Sequence, residues 1–156
     1  MRPVNNIGYL INHLAFVLGR QSDQVLQERL GLGFSQFKIL KILQHATNIQ
    51  QKQIAEKLGQ TEASISRQMK LLVEAGLLQV TVNPANRREH ITRLTSKGER
   101  IADEAISVLG VYHAPVFEGL NEKQQAALLE SLGVLHEATC NSNKPGACHQ
   151  PETINT

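Results

Sequence analysis

The chain has 156 residues, of which 41% are hydrophobic, enough for one compact domain or two small, closely packed lobes around a core. Aromatic residues make up only 4% and tryptophan is absent, which argues against a stacking surface for single-stranded nucleic acid, while a formal net charge of +2 does not by itself announce a nucleic-acid partner. No uninterrupted apolar run is long enough to span a bilayer, and the opening MRPVNNIGYLINHLAF lacks a clean apolar stretch and a small-residue cleavage site, so neither a membrane span nor a signal peptide is expected.

From Asn5 to about Leu30 the pattern is helical, with Ile7, Leu10, Ile11, Leu14, Val17 and Leu18 recurring at three- and four-residue steps. A second stripe, Tyr9, His13, Phe16 and Arg20, is offset from the first. Gly31-Leu32-Gly33 breaks this helix, and Ser35 is the expected N-cap of the next, with Phe37, Ile39, Leu40 and Leu43 inward. After a loop at residues 45–48, a third helix runs from about Gln50 to Leu58 and ends on Gly59. Thr61 caps a fourth helix reaching about Gly76, in which Ile65, Met69 and Leu72 form one buried stripe. Leu77 to Val82 suits a strand, residues 83–86 a turn, and Glu89 to Leu94 the return strand. Thr95 caps a long fifth helix to about Glu118. Asn121 caps a sixth, with Leu128, Leu132 and Leu135 on one face. The polar residues 141–156, with Pro145, Gly146 and Pro151, read as a flexible tail.

Helix, glycine turn, helix, strand, basic tip and strand in that order make a winged helix-turn-helix, which sets one helix in a DNA major groove and a basic loop beside it. The expected class is mainly α with a small β-hairpin wing (α+β). Residues 35–94 form the winged lobe, and 5–34 with 95–140 form a helical dimerisation region. With Ile65, Met69 and Leu72 buried, Ala63, Ser66, Arg67 and Lys70 share the opposite face of the fourth helix. Arg67 can fork onto guanine or grip a phosphate, Ala63 can touch a thymine methyl, and Ser64 and Ser66 let the helix approach the bases closely. Gln68 can read adenine if it faces the groove. The helix start at Thr61 favours a phosphate. Arg87 and Arg88, with Asn86, suit a minor groove and its phosphates. Gln36, Gln51, Lys52 and Lys97 are further candidate phosphate contacts. An ordinary amphipathic surface helix and a solvated basic face are the alternatives, weakened by the order in which these pieces occur.

The apolar stripes of the terminal helices are too long for a lone winged domain to bury, which points to a twofold homodimer on a near-palindromic site; an intramolecular helical lid is the alternative. The chain has no nucleophile elbow, phosphate-binding glycine loop or H-E-x-x-H helix, so no enzyme is expected and no cofactor or metal is assigned.

The segments QIAEKLGQTEASISRQMKLLVEAGLL and NPANRREHITRLTSKG resemble the MarR family of transcription regulators, and the likeness extends from about Ile7 to Cys140. The resemblance implies a triangular homodimer whose first and last helices pair with the partner chain. It also implies a DNA-binding regulator, most commonly a repressor, released by small aromatic or lipophilic ligands. The family's wing carries a D-x-x-D-R-R-like turn; here both acidic positions are amides, Asn83 and Asn86, which accept hydrogen bonds without the charge that holds a wing arginine. Tyr9, His13, Phe16 and Arg20 are the candidate ligand-facing residues, since an aromatic wall with an arginine suits an aromatic carboxylate. Alternatively Tyr9 and Phe16 are core and Arg20 pairs with an acid such as Asp23. The reactive cysteine that some relatives carry in the first helix is missing. Cys140 and Cys148, the only two cysteines, form no disulfide framework and fit a cytoplasmic location. With His136 and His149 they offer a redox- or metal-responsive alternative, on a spacing that matches no zinc motif. A winged helix that binds protein instead of DNA is the remaining alternative. It predicts loss of the basic residues that are present here.

Overall fold

The computed structural model describes residues 6–46 and 49–140, with Glu89 and Cys140 as backbone only. The chain runs α1 (Ile7–Leu30), α2 (Phe34–His45), α3 (Gln51–Leu58), α4 (Glu62–Glu74), β1 (Leu78–Asn83), β2 (Asn86–Leu94), α5 (Ser96–Glu118) and α6 (Glu122–Cys140). The strands form a two-stranded antiparallel sheet. The mainly helical class with a hairpin wing is therefore as expected.

One core joins α1 to α5 and the root of β1, and among the described residues α6 contributes no buried side chain to it. Leu26 of α1, Ile39 and Leu40 of α2, Ile54 of α3, and Ile65 and Leu72 of α4 are its largest fully buried side chains. Each such side chain removed from water contributes about 1.5–3 kcal/mol. Ala102 and Ala105 on α5 are also fully buried, and their small size lets α1 and α2 approach that helix closely. Val25 and Ser22 extend the contact along α1, where Ser22 Oγ lies 3.0 Å from His113 Nε2 of α5.

Three caps follow the sequence reading. Thr61 Oγ1 accepts the Ser64 N–H at 3.2 Å, Thr95 Oγ1 accepts that of Gly98 at 3.0 Å, and Asn121 Oδ1 accepts that of Gln124 at 3.0 Å. Gly59 ends α3 with φ 61°, the left-handed conformation the sharp turn requires. The cap of α2 differs from expectation. Gly33 is the N-cap and Ser35 lies inside the helix. Gln36 Oε1 reaches back to the Gly33 N–H at 2.9 Å, and Asp23 Oδ1, from α1, accepts the Phe34 N–H at 2.8 Å. A glutamine and a distant aspartate thus do the work assigned to the serine. The same bond gives Asp23 a backbone partner, and Arg20 lies instead over the Phe16 ring at 5.7 Å.

The first stripe of α1 divides. Val17 and Leu18 are half-buried, but Ile7, Leu10, Ile11 and Leu14 are exposed, as are Leu128, Leu132 and Leu135 on α6. Val111 on α5, 78% exposed, and Leu129 on α6, 69% exposed, are likewise uncovered. The tail assigned to residues 141–156 lies outside the described residues, and with it Cys148 and His149.

Candidate nucleic-acid interface

Helix α4 presents the face its periodicity demands. Ile65, Met69 and Leu72 are buried, while Ala63, Ser66, Arg67 and Lys70 are exposed together. Ser64 and Gln68 lie half-buried on the flank of this face, not at its centre. The turn before α4 is fixed by Gln60, whose Nε2 donates to Ser35 Oγ of α2 at 2.8 Å and whose Oε1 accepts from Ser64 Oγ at 3.4 Å. Ser64 and Thr61 therefore spend their side chains on holding the helix. Ser66, Arg67 and Lys70 remain outward.

The wing is a two-residue hairpin with Pro84 and Ala85 at its tip. Its ladder is regular from Leu78↔Leu94 to Val82↔His90 and then jumps to Asn83↔Asn86. Arg87, Arg88 and Glu89 have no register partner on β1, so this stretch of β2 bulges out of the ladder. The return strand begins at Asn86, not at the expected Glu89, and the bulge is the reason: the chain stays extended before regular pairing starts at His90. Arg87 and Arg88 are exposed on the bulge. Both amides in the acidic positions accept backbone hydrogen bonds: Asn83 Oδ1 from Ala85 N at 2.9 Å, and Asn86 Oδ1 from Arg88 N at 3.2 Å. They order the turn without a carboxylate.

Among the outlying candidates, Gln51 and Lys52 are exposed at the start of α3. Gln36 Oε1 is engaged in capping α2, and Lys97 Nζ donates to the Ala75 carbonyl at 2.9 Å. Neither cap was expected from the sequence, and for Lys97 the partner lies 22 residues away, so no local signal announces it.

Tyr9, His13, Phe16 and Arg20 line one exposed face of α1, with Tyr9 stacked on His13 at 5.8 Å between centroids. Cavities lie elsewhere among the described residues. One of about 250 Å³ lies between Val25 and Arg29 of α1 and Ser107, Val108, Val111 and Tyr112 of α5. Another of about 280 Å³ lies where the α1–α2 turn meets α4 and the start of α5, with Gln36, Leu72, Ala75, Lys97 and Ile101 among its walls. Among the described residues no group of His, Cys, Asp or Glu side chains is placed to hold a metal ion, and no helix is long and apolar enough to cross a membrane.

This lobe, with a capped helix offering a cationic face and a hairpin carrying two exposed arginines, defines a winged helix-turn-helix protein of the DNA-binding class. The MarR family's sequence model matches residues 34–90, which span α2 through the wing. Over this lobe the chain is similar to the MarR family, and it is a DNA-binding transcriptional regulator. It is 28% identical over 137 residues to an uncharacterized HTH-type transcriptional regulator of Bacillus cereus, covering 85% of this chain and 91% of that one. Its fold resembles wild-type apo MarR from E. coli, with a TM-score of 0.76 at 23% identity over 86% of this chain and 97% of that one. It also resembles CouR from Rhodococcus jostii RHA1 bound to p-coumaroyl-CoA, with a TM-score of 0.71 at 22% identity over 86% and 92%. The family comprises transcription regulators, not enzymes.

Proposed function

We propose that the chain acts as a homodimeric repressor that binds a near-palindromic operator and is released by a small ligand. The observation that carries this reading is the outward face of α4, where Ser66, Arg67 and Lys70 stand free of the core beside a wing bearing Arg87 and Arg88. Arg67 reads guanine in the major groove and Ala63 meets a thymine methyl, while Thr61 and Ser64 hold the helix start against a phosphate. Arg87 or Arg88, with Asn86, enters the adjacent minor groove.

The uncovered apolar surfaces of α1, α5 and α6 support the dimer. Exposed apolar faces of this kind are costly in water, and a second copy would bury them. Residues 5–34 and 95–140 are its dimerisation region, and 35–94 its winged lobe. A twofold axis sets two α4 helices about 34–36 Å apart, one turn of DNA.

The ligand we propose is a small aromatic or lipophilic acid, received on the α1 face of Tyr9, His13, Phe16 and Arg20 once a partner helix covers it. CouR's p-coumaroyl-CoA is aromatic and anionic, and an arginine beside aromatic rings suits such chemistry. Any such ligand shifts DNA affinity only by its differential affinity for the two lobe spacings.

Fluorescence anisotropy on duplex DNA from upstream of the gene, against a scrambled duplex and across a salt titration, tests the reading. Two protomers per site, preference over scrambled DNA and a steep salt slope are expected. Saturable binding of a single protomer, or equal binding to both duplexes, contradicts it.

A further inference from the structure

The C-terminal end of α4 is held by the start of α5. Three successive carbonyls leave α4 with no amide of its own to meet: those of Ala75, Gly76 and Leu77. Each accepts a bond from the other helix start. Lys97 Nζ donates to Ala75 O at 2.9 Å, Thr95 Oγ1 to Gly76 O at 2.7 Å, and Thr95 N to Leu77 O at 3.0 Å. The Thr95 hydroxyl both donates to Gly76 O and accepts from Gly98 N, so one side chain caps two helices at once. Gly98 lets the backbones meet this closely, since a Cβ there would lie 2.1 Å from Leu77 O. No residue in the last turn of α4 itself is basic, so the cation that complements the helix dipole there comes from α5.

We infer that Lys97 is a positioning residue for the recognition helix. Its ammonium caps the end of α4 and fixes the angle at which Ser66, Arg67 and Lys70 meet the bases. It does so without touching DNA. Lysine does this well because its long stem carries a donor and a full charge to a helix end. The same bond ties the helix that reads DNA to the helix that runs into the dimerisation region, so a displacement of α5 is carried into α4 directly. The inference rests on the DNA-binding reading of α4, but half of its test needs no DNA.

The test uses the full-length protein with Lys97→Met, which keeps the stem and removes the ammonium, and Lys97→Arg, which keeps the charge and the donors. Without DNA, amide exchange at Ala75, Gly76 and Leu77 is expected to accelerate roughly threefold to tenfold in Lys97→Met and to return towards the wild-type rate in Lys97→Arg. On DNA, Lys97→Met is expected to lose about threefold to tenfold of its affinity for the preferred duplex. Scrambled-duplex binding and the salt slope should stay as in the wild type. A fall on both duplexes with the slope lower by about one makes Lys97 a phosphate contact and overturns the inference. So do unchanged exchange rates. If the wild type prefers no duplex, the DNA-binding reading has failed, and the exchange rates still decide whether Lys97 caps α4. Should Lys97→Met not fold, Lys97→Gln retains a neutral donor and is expected to give the wild-type slope with reduced preference; a lowered slope overturns the inference there too.

Discussion

Replacing Gly98 by alanine puts the junction of α5 and the wing under a defined load. The new Cβ lies 2.1 Å from Leu77 O and 3.1 Å from Leu94 Cδ2, whereas ordinary contact begins at 3.4 Å. The two backbones must part by about 1.3 Å, because a carbonyl at the root of β1 cannot rotate away as a side-chain tip can. Overpacking of this kind costs about 1–3 kcal/mol. The same displacement breaks the Thr95 N–Leu77 O and Thr95 Oγ1–Gly76 O bonds, each worth about 1 kcal/mol. Against these stands about 1 kcal/mol gained by alanine over glycine in a helix. The net destabilisation is about 2–4 kcal/mol, a large share of the roughly 5–15 kcal/mol that holds a domain together. Gly19→Ala is the matched control: its Cβ meets only Phe34 Cε1, at 3.8 Å, and should stabilise by about 0.5–1 kcal/mol. Urea unfolding followed by circular dichroism at one protein concentration reads both, and Gly98→Ala is expected to lower the midpoint by about 1–2 M with an unchanged slope. A Gly98→Ala midpoint equal to the wild type refutes the close approach on which the junction argument depends.

Other perturbations address the DNA face and the apolar surface. Arg67→Ala is expected to weaken specific binding by about 1–3 kcal/mol and to relax preference at one base position; an equal loss on every duplex would make Arg67 a phosphate contact instead. Arg88→Ala should reduce the salt slope of binding, since fewer counterions are released. A slope equal to the wild type removes the wing bulge from the contact surface. Leu132→Glu places a charge within the uncovered face of α6 and is expected to yield monomers in sedimentation equilibrium while the winged lobe keeps its helical signal. Dimers as stable as the wild type would show that α6 is not at the interface.

The parts of the fold that local chemistry decides were legible in the sequence. Thr61, Thr95 and Asn121 announce caps because a short oxygen before an apolar period has few other roles, and Ile65, Met69 and Leu72 fix the orientation of α4 because burial on one face leaves the polar residues on the other. The misreadings came from contacts between residues distant in sequence. Ser35 reads as a cap, but Asp23 from α1 and the Gln36 side chain supply the acceptors, so the helix starts earlier than a serine-capped helix would. Lys97 reads as a phosphate contact because nothing local shows that the end of α4 lies beside it. The wing bulge that frees Arg87 and Arg88 could not be read from composition, since it depends on which β1 residue each one faces. On α1 the two stripes are equally periodic, and the chain alone covers neither at the N-terminal half. Which of them the proposed second copy would cover depends on surfaces outside a single chain.

Selection from a random duplex library, followed by sequencing of the bound pool, tests the central claim most directly, because it asks whether the α4 face reads bases at all. The account predicts enrichment of a near-palindrome whose half-site centres lie about one helical turn apart, with a guanine at the position Arg67 reads. A pool that remains unenriched after repeated rounds, from protein that is folded and dimeric, would contradict it.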